Sequence, residues 1–302
     1  MTDAAWVLNM KCPFHGSYVA LPTPFHADKV DLIALARLVE FHVDHKSDGL
    51  VACGTSGESA TLNDYERRSV IEFVIERSAG RLPVIAGTGT NDTRTSIEYT
   101  RFAAQAGASG TLAVTPYYNK PSPNGLLAHY GALAQASDLP LVLYNVPSRT
   151  GCDLKTSTVT QLRTRHPNIV AIKEASGSIG RAKELRGASD IALIAGEDSL
   201  IGDFMGLGAV GVIGVVANVA PAQVAELCRV ARPGGNAKRS AELSDFLAPL
   251  VRDLFIESNP VPVKAALAAM HLCGADVRLP LAALESQHLD ALVATLHEAA
   301  LI

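Results

Sequence analysis

The fold is decided by a pattern in residues 169–176, which read Ile-Val-Ala-Ile-Lys-Glu-Ala-Ser. Four apolar residues stand in an unbroken run, and three of them are β-branched. A strand that is covered on both faces shows such a continuous run, whereas a half-exposed strand alternates apolar and polar residues. The segment therefore predicts one strand of a buried parallel sheet, ending close to Lys173.

Runs of the same kind recur at intervals of about 30 residues, which is the spacing of βα units. Each run is bounded by Gly, Pro or Thr, and each precedes a segment with helical periodicity, such as 32–45, 62–78 or 93–106. The eight predicted strands are 18–25, 49–55, 83–89, 110–116, 140–147, 169–176, 192–198 and 211–219. Eight units without a break favour a closed (β/α)8 TIM barrel of the α/β class over a doubly wound sheet.

The remainder of the chain predicts further helices. Residues 221–302 have helical patterns that are interrupted at 233–235 and again at 259–262, where Pro and Gly residues stand. One of these helices completes the barrel, and the others form a C-terminal helical extension. The predicted organisation is an N-terminal extension at 1–15, the barrel at 16–235 and a C-terminal helical region at 236–302.

The composition argues against several classes of protein. Of the 302 residues 48% are hydrophobic and 19% are charged, which allows a large apolar core. The formal net charge is −4 and no run of Lys or Arg occurs, so we expect neither nucleic-acid nor membrane binding. No leader and no membrane-spanning run is recognisable. Five scattered cysteines without metal-ligand spacing fit the reduced cytoplasm.

Active sites of such barrels lie at the carboxyl ends of the strands, so the polar residues there are the candidates. Lys173 follows four apolar residues, and desolvation at that position favours the neutral, nucleophilic amine that imine formation requires. The alternative is a solvated lysine at a strand end. Tyr144 ends the preceding strand, where its phenol is a candidate general acid or base, or else a tyrosine that packs at the rim.

Two loops offer groups that can bind carboxylates. The turn Gly54-Thr55-Ser56-Gly57-Glu58 presents backbone N–H groups, and its Thr55 suits a proton relay to Tyr144. The alternative is a tight connection in which Glu58 is a favourable charge early in the next helix. Arg149, in the loop after the fifth strand, can hold a carboxylate by a bidentate pair or can simply be solvated.

Two other signals carry little weight. Gly87-Thr88-Gly89 lacks the third glycine of a dinucleotide fingerprint. His42 and His45 have the spacing of a metal-binding pair on a helix, but no third ligand is near them in sequence. We expect them on a helix surface or cap, and we expect neither a metal site nor a cofactor.

Five segments occur in the order known from one family, and they are GTSGESATLN, VTPYYNKPS, LYNVPSRTG, AIKEASG and NPVPVKAAL. From Gly16 to the C-terminus the chain resembles the dihydrodipicolinate synthase branch of the pyruvate-dependent class I aldolases. The resemblance implies that Lys173 condenses with pyruvate. The enamine would then attack L-aspartate 4-semialdehyde to form 4-hydroxy-tetrahydrodipicolinate, on the route to diaminopimelate and lysine.

The resemblance also implies a catalytic triad and an assembly. Tyr144, Thr55 and Tyr118 match the proton-relay residues of the family, with Tyr118 donated across a subunit interface. Family members are usually homotetramers built from two tight dimers. They need no metal or organic cofactor, because the reactive lysine itself provides the electron sink.

Substrate-binding positions carry over in the same way. The backbone of Thr55 and Ser56 would hold the pyruvate carboxylate, and Arg149 would hold the carboxylate of the semialdehyde. Gly196 and the main chain of Ile213 would complete the site. Ser56 departs from the threonine that most synthases have, and it keeps the hydroxyl while losing a methyl group.

A second departure concerns regulation. Family members that lysine inhibits use histidines and a glutamate in a pocket between subunits, where this chain has Asp64, Arg67 and Thr95. Three other positions of that pocket match, and they are Ser59, Ala60 and Asn91. Without the glutamate and histidines the amino group of lysine loses partners, so we expect weak or absent inhibition by L-lysine.

Alternative functions share part of the same residue set. N-acetylneuraminate lyase, 2-keto-3-deoxygluconate aldolase and 4-hydroxy-2-oxoglutarate aldolase would use Lys173 and Tyr144 with another aldehyde. Arg149 favours the synthase, because a sugar-derived aldehyde has no carboxylate that needs the guanidinium. A non-catalytic barrel that binds pyruvate or a partner protein would not need Lys173, Tyr144, Thr55 and Tyr118 together.

Overall fold

Residues 12–302 are described by a computed structural model, and eight of the ten strands in that part of the chain close into one barrel. The strands are β1 (Gly16–Ala20), β2 (Phe25–His26), β3 (Lys29–Val30), β4 (Gly49–Ala52), β5 (Val84–Gly87), β6 (Gly110–Val114), β7 (Leu141–Asn145), β8 (Ile169–Glu174), β9 (Ala192–Ala195) and β10 (Gly211–Gly214). The order around the barrel is β1-β10-β9-β8-β7-β6-β5-β4. The predicted (β/α)8 TIM barrel is therefore confirmed. Residues 1–11, most of the predicted extension, lie outside the described residues.

The barrel strands are buried along their length, except that Val114 at the end of β6 is half-buried. All six residues of β8 are buried, including Lys173 and Glu174 at its end. Adjacent strands run parallel, with Tyr18 opposite Gly49 and Leu143 opposite Ile172. Strands with both faces covered favour apolar residues at most positions, which is why continuous apolar runs located them correctly.

The predicted strands end too late in every case. The range 49–55 becomes Gly49–Ala52, and the range 211–219 becomes Gly211–Gly214. Cys53 leaves the ladder with φ of 55°, and Val216–Asn218 form a 3-10 helix, although these residues are as buried as the strands. Apolar content reports burial rather than strand pairing, so it extends each prediction into the buried turn.

A short antiparallel hairpin, β2 and β3, replaces the end of the predicted strand 18–25. β1 ends at Ala20, and Phe25 pairs with Val30 across a two-residue turn. The turn residues Ala27 and Asp28 have φ of 48° and 61°. Two positive φ angles match the twist of a hairpin, but neither residue belongs to the Asn-Gly type that announces such a turn.

Helices follow the barrel strands as predicted, with additional helices at the C-terminus. They are α1 (Leu32–Asp44), α2 (Asp64–Ser78), α3 (Thr93–Gln105), α4 (Pro123–Ala136), α5 (Pro147–Thr150), α6 (Thr156–Arg165), α7 (Ile179–Ala188), α8 (Ile201–Gly206), α9 (Pro221–Val230), α10 (Ala237–Leu254), α11 (Val261–Ala269) and α12 (Ser286–Glu298). α2 begins two residues later than predicted, because Asn63 caps it in a capping box with Glu66. None of the helices within residues 12–302 is both long and apolar enough to cross a membrane.

The contacts of the chain define two compact units. One consists mainly of Ile85–Ile213, and the other of Ser17–Val84, Gly214–Ala231 and Gly235–Ile302. In the second unit the α10 residue Asp253 accepts a hydrogen bond from Thr295 of α12. The division into residues 16–235 and 236–302 stays a proposal, and its boundary would fall in the loop between α9 and α10.

The two histidines of α1 have different environments. His42 is completely buried, contrary to the expected surface position, and its Nδ1 lies 3.1 Å from the Ser47 hydroxyl. Burial lowers the pKa of the His42 imidazole to about 3, so the ring is neutral at physiological pH. His45 is the C-cap of α1, as expected.

Candidate active site

Lys173 and Tyr144 lie side by side at the carboxyl ends of β8 and β7. They are partners in the strand register, so their side chains leave the sheet on the same face. The Lys173 Nζ lies 4.3 Å from the centroid of the Tyr144 ring, and each residue is only 6% exposed. The structure thus brings together the two groups that the sequence places at these strand ends, and Lys173 is not a solvated surface lysine.

A polar network lies at the next position of the same two strands. Glu174 and Asn145 are paired in the register and completely buried. The Asn145 side-chain amide donates to both carboxylate oxygens of Glu174, at 3.3 and 3.0 Å, and its Oδ1 accepts the backbone N–H of Leu154. The Ser176 N–H also donates to Glu174, at 2.7 Å. These bonds tie the ends of β7 and β8 together, and they fix the register that pairs the preceding residues.

The network continues to an ion pair between Asp153 and Arg181. The guanidinium donates to both carboxylate oxygens, at 3.1 and 2.9 Å, and the Asn145 amide donates to one of them at 3.1 Å. Arg181 holds the pKa of the Asp153 carboxyl below its usual value, and Asn145 contributes in the same direction. The carboxylate is therefore charged at neutral pH and keeps both bonds.

Glu197 is an acidic group that sequence reasoning missed. It is half-buried and directly follows Gly196, beyond the end of β9. Burial raises the pKa of its carboxyl, and Asp198 acts in the same direction, while the positive charges of Lys173 and Arg149 oppose the rise. Glu197 therefore shares the electrostatic environment of both predicted site residues. Its position just after a strand is the signal that could have found it.

Gly196 lies where the chain has no room for a side chain. A Cβ on this residue would stand 2.6 Å from the Ala175 Cβ and 2.9 Å from the Glu174 carbonyl oxygen. The Gly196 N–H donates to that same oxygen at 2.9 Å. The backbone at Gly196, just after β9, therefore packs directly against the backbone at the end of β8. Ile213, in β10, is 1% exposed.

Arg149 is presented by a single helical turn rather than by an irregular loop. α5 runs from Pro147 to Thr150 and is capped by Gly151, which has φ of 66°. The buried hydroxyl of Thr150 fixes this turn through a hydrogen bond of 2.9 Å to the Cys152 carbonyl. The Arg149 side chain itself is exposed. The fixed turn therefore displays a guanidinium at the surface.

Tyr118 is a predicted site residue whose side chain is largely exposed. The residue is 88% exposed and has φ of 73°, whereas its N–H donates to the Thr150 carbonyl at 3.2 Å. The next side chain, Asn119, donates to the Asn91 carbonyl at 2.8 Å. The backbone is therefore anchored while the phenol ring faces outward.

The turn after β4 spans Thr55–Glu58 and is closed by a backbone hydrogen bond of its own. Residues 56–58 of the turn are buried. The Glu58 N–H donates to the Thr55 carbonyl at 3.1 Å, and the Thr23 hydroxyl donates to the Gly57 carbonyl at 2.7 Å. Ser56 is 1% exposed, and Thr55 is partly exposed. Glu58 is not an early-helix charge, because α2 begins only at Asp64.

The partners of this turn come from the motif NPVPVKAAL and were missed at the sequence level. The Asn259 amide donates to the Ser56 hydroxyl at 2.9 Å, and the Lys264 ammonium contacts a Glu58 carboxylate oxygen at 2.5 Å. The partners are 203 and 206 residues apart in sequence, so no local pattern could have paired them.

A (β/α)8-barrel enzyme is the class of protein that the fold and these strand-end residues define. The chain belongs to the dihydrodipicolinate synthetase family, whose model matches residues 13–299. The resemblance read from the five motifs is therefore confirmed. The roles of individual residues within the site stay predictions.

Relatives and solved structures of this family align over nearly the whole chain. A 4-hydroxy-tetrahydrodipicolinate synthase of Citrifermentans bemidjiense is 47% identical over 96% of this chain and 100% of its own length. The dihydrodipicolinate synthase structure from Aquifex aeolicus has a TM-score of 0.93 and 43% identity, with 95% of this chain and 99% of that one covered. The dihydrodipicolinate synthase structure from Acinetobacter baumannii, solved as a complex with pyruvate, has a TM-score of 0.92 and 44% identity. The alignment covers 95% of this chain and 99% of that one.

Proposed function

We propose that this protein condenses pyruvate with L-aspartate 4-semialdehyde to form 4-hydroxy-tetrahydrodipicolinate. The observation that carries the proposal is the buried Lys173 amine, 4.3 Å from the centroid of the Tyr144 ring at the carboxyl ends of adjacent barrel strands. The family and the function named for the aligned relatives support the choice of substrates. The product leads towards diaminopimelate and lysine.

The first half of the reaction is imine formation at Lys173. The neutral amine attacks the ketone carbon of pyruvate, a proton is transferred to the resulting alkoxide, and water leaves as the C=N bond forms. We assign these proton transfers to Tyr144, and the 4.3 Å between the amine and the centroid of its ring supports the assignment. Loss of a proton from the pyruvate methyl group then gives the enamine, and the imine nitrogen accepts the electron pair. This route needs no metal or organic cofactor.

The second half joins the enamine to the aldehyde. The enamine carbon attacks the semialdehyde carbonyl, and the new alkoxide takes a proton. The amino group of the semialdehyde then displaces Lys173 from the imine carbon, which closes the ring and frees the enzyme. Thr55 and Tyr118 would complete the proton relay with Tyr144, as the family resemblance implies.

Carboxylate recognition is divided between two kinds of donor. We assign the pyruvate carboxylate to the backbone of Thr55 and Ser56, a turn fixed by neighbouring hydrogen bonds. We assign the semialdehyde carboxylate to Arg149, whose exposed guanidinium is held on a rigid turn. Gly196 and the main chain of Ile213 would line the rest of the site.

The assembly and the compartment are part of the same proposal. The outward-facing Tyr118 ring fits donation to a second subunit, and we expect a homotetramer of two tight dimers, with no nucleic-acid or membrane partner. All five cysteines, Cys12 to Cys273, are free and buried, which is compatible with a reducing cytoplasm.

The test is a comparison of substrates under one set of conditions. Turnover of pyruvate with aspartate 4-semialdehyde is measured through the next reductase, beside cleavage of N-acetylneuraminate and 2-keto-3-deoxygluconate. We expect turnover only with the semialdehyde, and none in a folded Lys173→Ala variant. Cleavage of a sugar acid without semialdehyde turnover would retain the imine chemistry and overturn the proposed substrate.

A further inference from the structure

The Ser56 hydroxyl is hydrogen-bonded to the Asn259 side chain. The Asn259 Nδ2 lies 2.9 Å from the Ser56 Oγ, while the opposite contact, from the hydroxyl to the Asn259 Oδ1, is longer at 3.4 Å. Ser56 is 1% exposed and Asn259 is 6% exposed. In the shorter contact the serine oxygen accepts, so the hydroxyl proton can be directed to another acceptor.

A second contact from the same motif secures the end of the turn. Glu58 has φ of 50°, a left-handed conformation that is unfavourable for a residue with a Cβ. The Lys264 ammonium holds one of its carboxylate oxygens, and the Arg278 N–H donates to the other at 3.0 Å. Lys264 is completely buried, and its ammonium also lies 4.1 Å from the centroid of the Phe25 ring.

The two contacts bracket one short segment of backbone. Asn259 holds residue 56, Lys264 holds residue 58, and the Glu58 N–H donates back to the Thr55 carbonyl. The peptide units between Thr55 and Glu58 therefore have little freedom to rotate. Recognition of a carboxylate by backbone N–H groups depends on their direction, and a preorganised donor avoids the entropic cost of ordering on binding.

We propose that Asn259 is a positioning residue for recognition of the 2-oxo acid carboxylate. The Asn259 amide fixes the rotamer of Ser56 and, through it, the direction of the N–H groups in the turn. This inference rests on the proposed function, because it takes the turn as the carboxylate site. Asn259 acts through Ser56 and need not touch the substrate.

Imine formation with pyruvate alone is the measurement that tests the inference. The wild-type protein and the variants Asn259→Ala, Ser56→Ala and the double variant are incubated with increasing pyruvate and reduced with borohydride. Mass spectrometry then gives the fraction of chains with a trapped adduct. Asn168→Ala is the matched control, because it also removes an asparagine amide that holds backbone. Asn168 lies just before β8, and its amide donates to the carbonyls of Ala134 and Ser137.

We expect Asn259→Ala and Ser56→Ala each to raise the pyruvate concentration for half-maximal trapping about fivefold to tenfold. The double variant should be no worse than the more affected single variant, because both changes remove the same contact. The KM of the aldehyde should stay within about twofold in steady-state assays. Asn168→Ala should leave the half-maximal pyruvate concentration unchanged.

Several outcomes would overturn the inference. Unchanged trapping in Asn259→Ala, or independent effects that multiply in the double variant, would show that Asn259 does not act through Ser56. If Asn259→Ala fails to fold, Asn259→Leu keeps a similar volume and can neither donate to Ser56 nor accept from it, and unchanged trapping in that variant has the same meaning. Absence of trapping in the wild-type protein would instead refute the proposed function.

Discussion

At the scale of single residues, Lys173 and Arg149 show how differently the chain treats two cationic side chains. Lys173 is 6% exposed at the end of an apolar strand and lies against the Tyr144 ring. Arg149 is exposed on a short helical turn. A buried amine suits nucleophilic attack, and an exposed guanidinium suits capture of an anionic substrate.

The role of Arg149 can be tested by separating the two substrates. Arg149→Ala should raise the KM of aspartate 4-semialdehyde about 10- to 100-fold, because the substrate loses one or two charge-assisted hydrogen bonds. The KM of pyruvate should change far less. Steady-state kinetics with each substrate varied in turn provide the measurement, and Arg94→Ala, whose side chain is 91% exposed, is the control. Equal changes in both KM values would remove Arg149 from its assigned role.

The candidate site was predictable where its residues follow strands and unpredictable where they come from distant segments. The strand-end rule located Lys173 and Tyr144, because parallel neighbours end at the same edge. Glu197 was hidden because the predicted strand 192–198 includes it, whereas β9 ends at Ala195. Asn259 and Lys264 lie outside the reach of the strand-end rule, since only the folded chain brings them to residues 56 and 58.

At the scale of elements, the buried pair of Lys264 and Glu58 joins α11 to the turn after β4. Burial lowers the pKa of the Lys264 ammonium, and the Glu58 carboxylate opposes that shift. Two charges removed from water are stable only while each has the other, together with further hydrogen bonds. Loss of one partner from this pair should therefore cost more stability than loss of a partner from the exposed ion pairs within residues 12–302.

Lys264→Met should lower the free energy of unfolding by about 3–5 kcal/mol, because it leaves a buried carboxylate without its partner. The double variant Lys264→Met with Glu58→Gln should recover part of this loss. Urea unfolding of each variant gives the free energies. As the control, Arg68→Met breaks the exposed pair with Asp64 and should cost less than about 1 kcal/mol. A similar small effect of Lys264→Met would mean that the buried pair contributes little.

Element boundaries were predictable only where a side chain marks them. α1 and α3 begin at the predicted residues, because Asp31 and Asp92 accept N–H groups of the first turn. The ends of the strands carry no such mark, since the buried turns that follow are equally apolar. The β2–β3 hairpin was missed for the related reason that Ala27 and Asp28 are not typical turn residues.

At the scale of the whole molecule, regulation by lysine depends on the positions that form the lysine pocket in inhibited family members. The residues that this chain has there already have partners within the chain. The Arg67 guanidinium is buried and donates to the Ser59 carbonyl at 2.7 Å. Asp64 pairs with Arg68, and the Thr95 hydroxyl donates to Asp92 at 2.7 Å. A fixed guanidinium repels the ammonium groups of lysine, whereas a carboxylate or a neutral imidazole would not.

We therefore expect L-lysine to inhibit weakly or not at all at concentrations that inhibit a lysine-sensitive synthase assayed in parallel. The triple variant Asp64→His, Arg67→His and Thr95→Glu should gain inhibition, because it restores the partners of the amino group. Initial rates at increasing lysine concentration provide the test. Strong inhibition of the wild-type protein at low lysine concentration would contradict the prediction.

The proposed assembly can be tested by asking whether Tyr118 of one subunit completes the site of its neighbour. Lys173→Ala and Tyr118→Phe should each be nearly inactive when purified separately. If Tyr118 serves the site of a neighbouring subunit, a mixed dimer has one complete site, formed by Lys173 of one chain and Tyr118 of the other. Random reassociation of the two variants should then restore about a quarter of the wild-type activity, because half of the dimers are mixed and each has one of its two sites complete.

The measurement requires subunits that have exchanged. The two variants are unfolded together and refolded as an equal mixture, and light scattering confirms the mass of the assembly before activity is assayed. Mixing without refolding is the control and should restore nothing. If the refolded mixture has only the sum of the two residual activities, Tyr118 works within its own chain, and the outward orientation of its ring must serve another purpose.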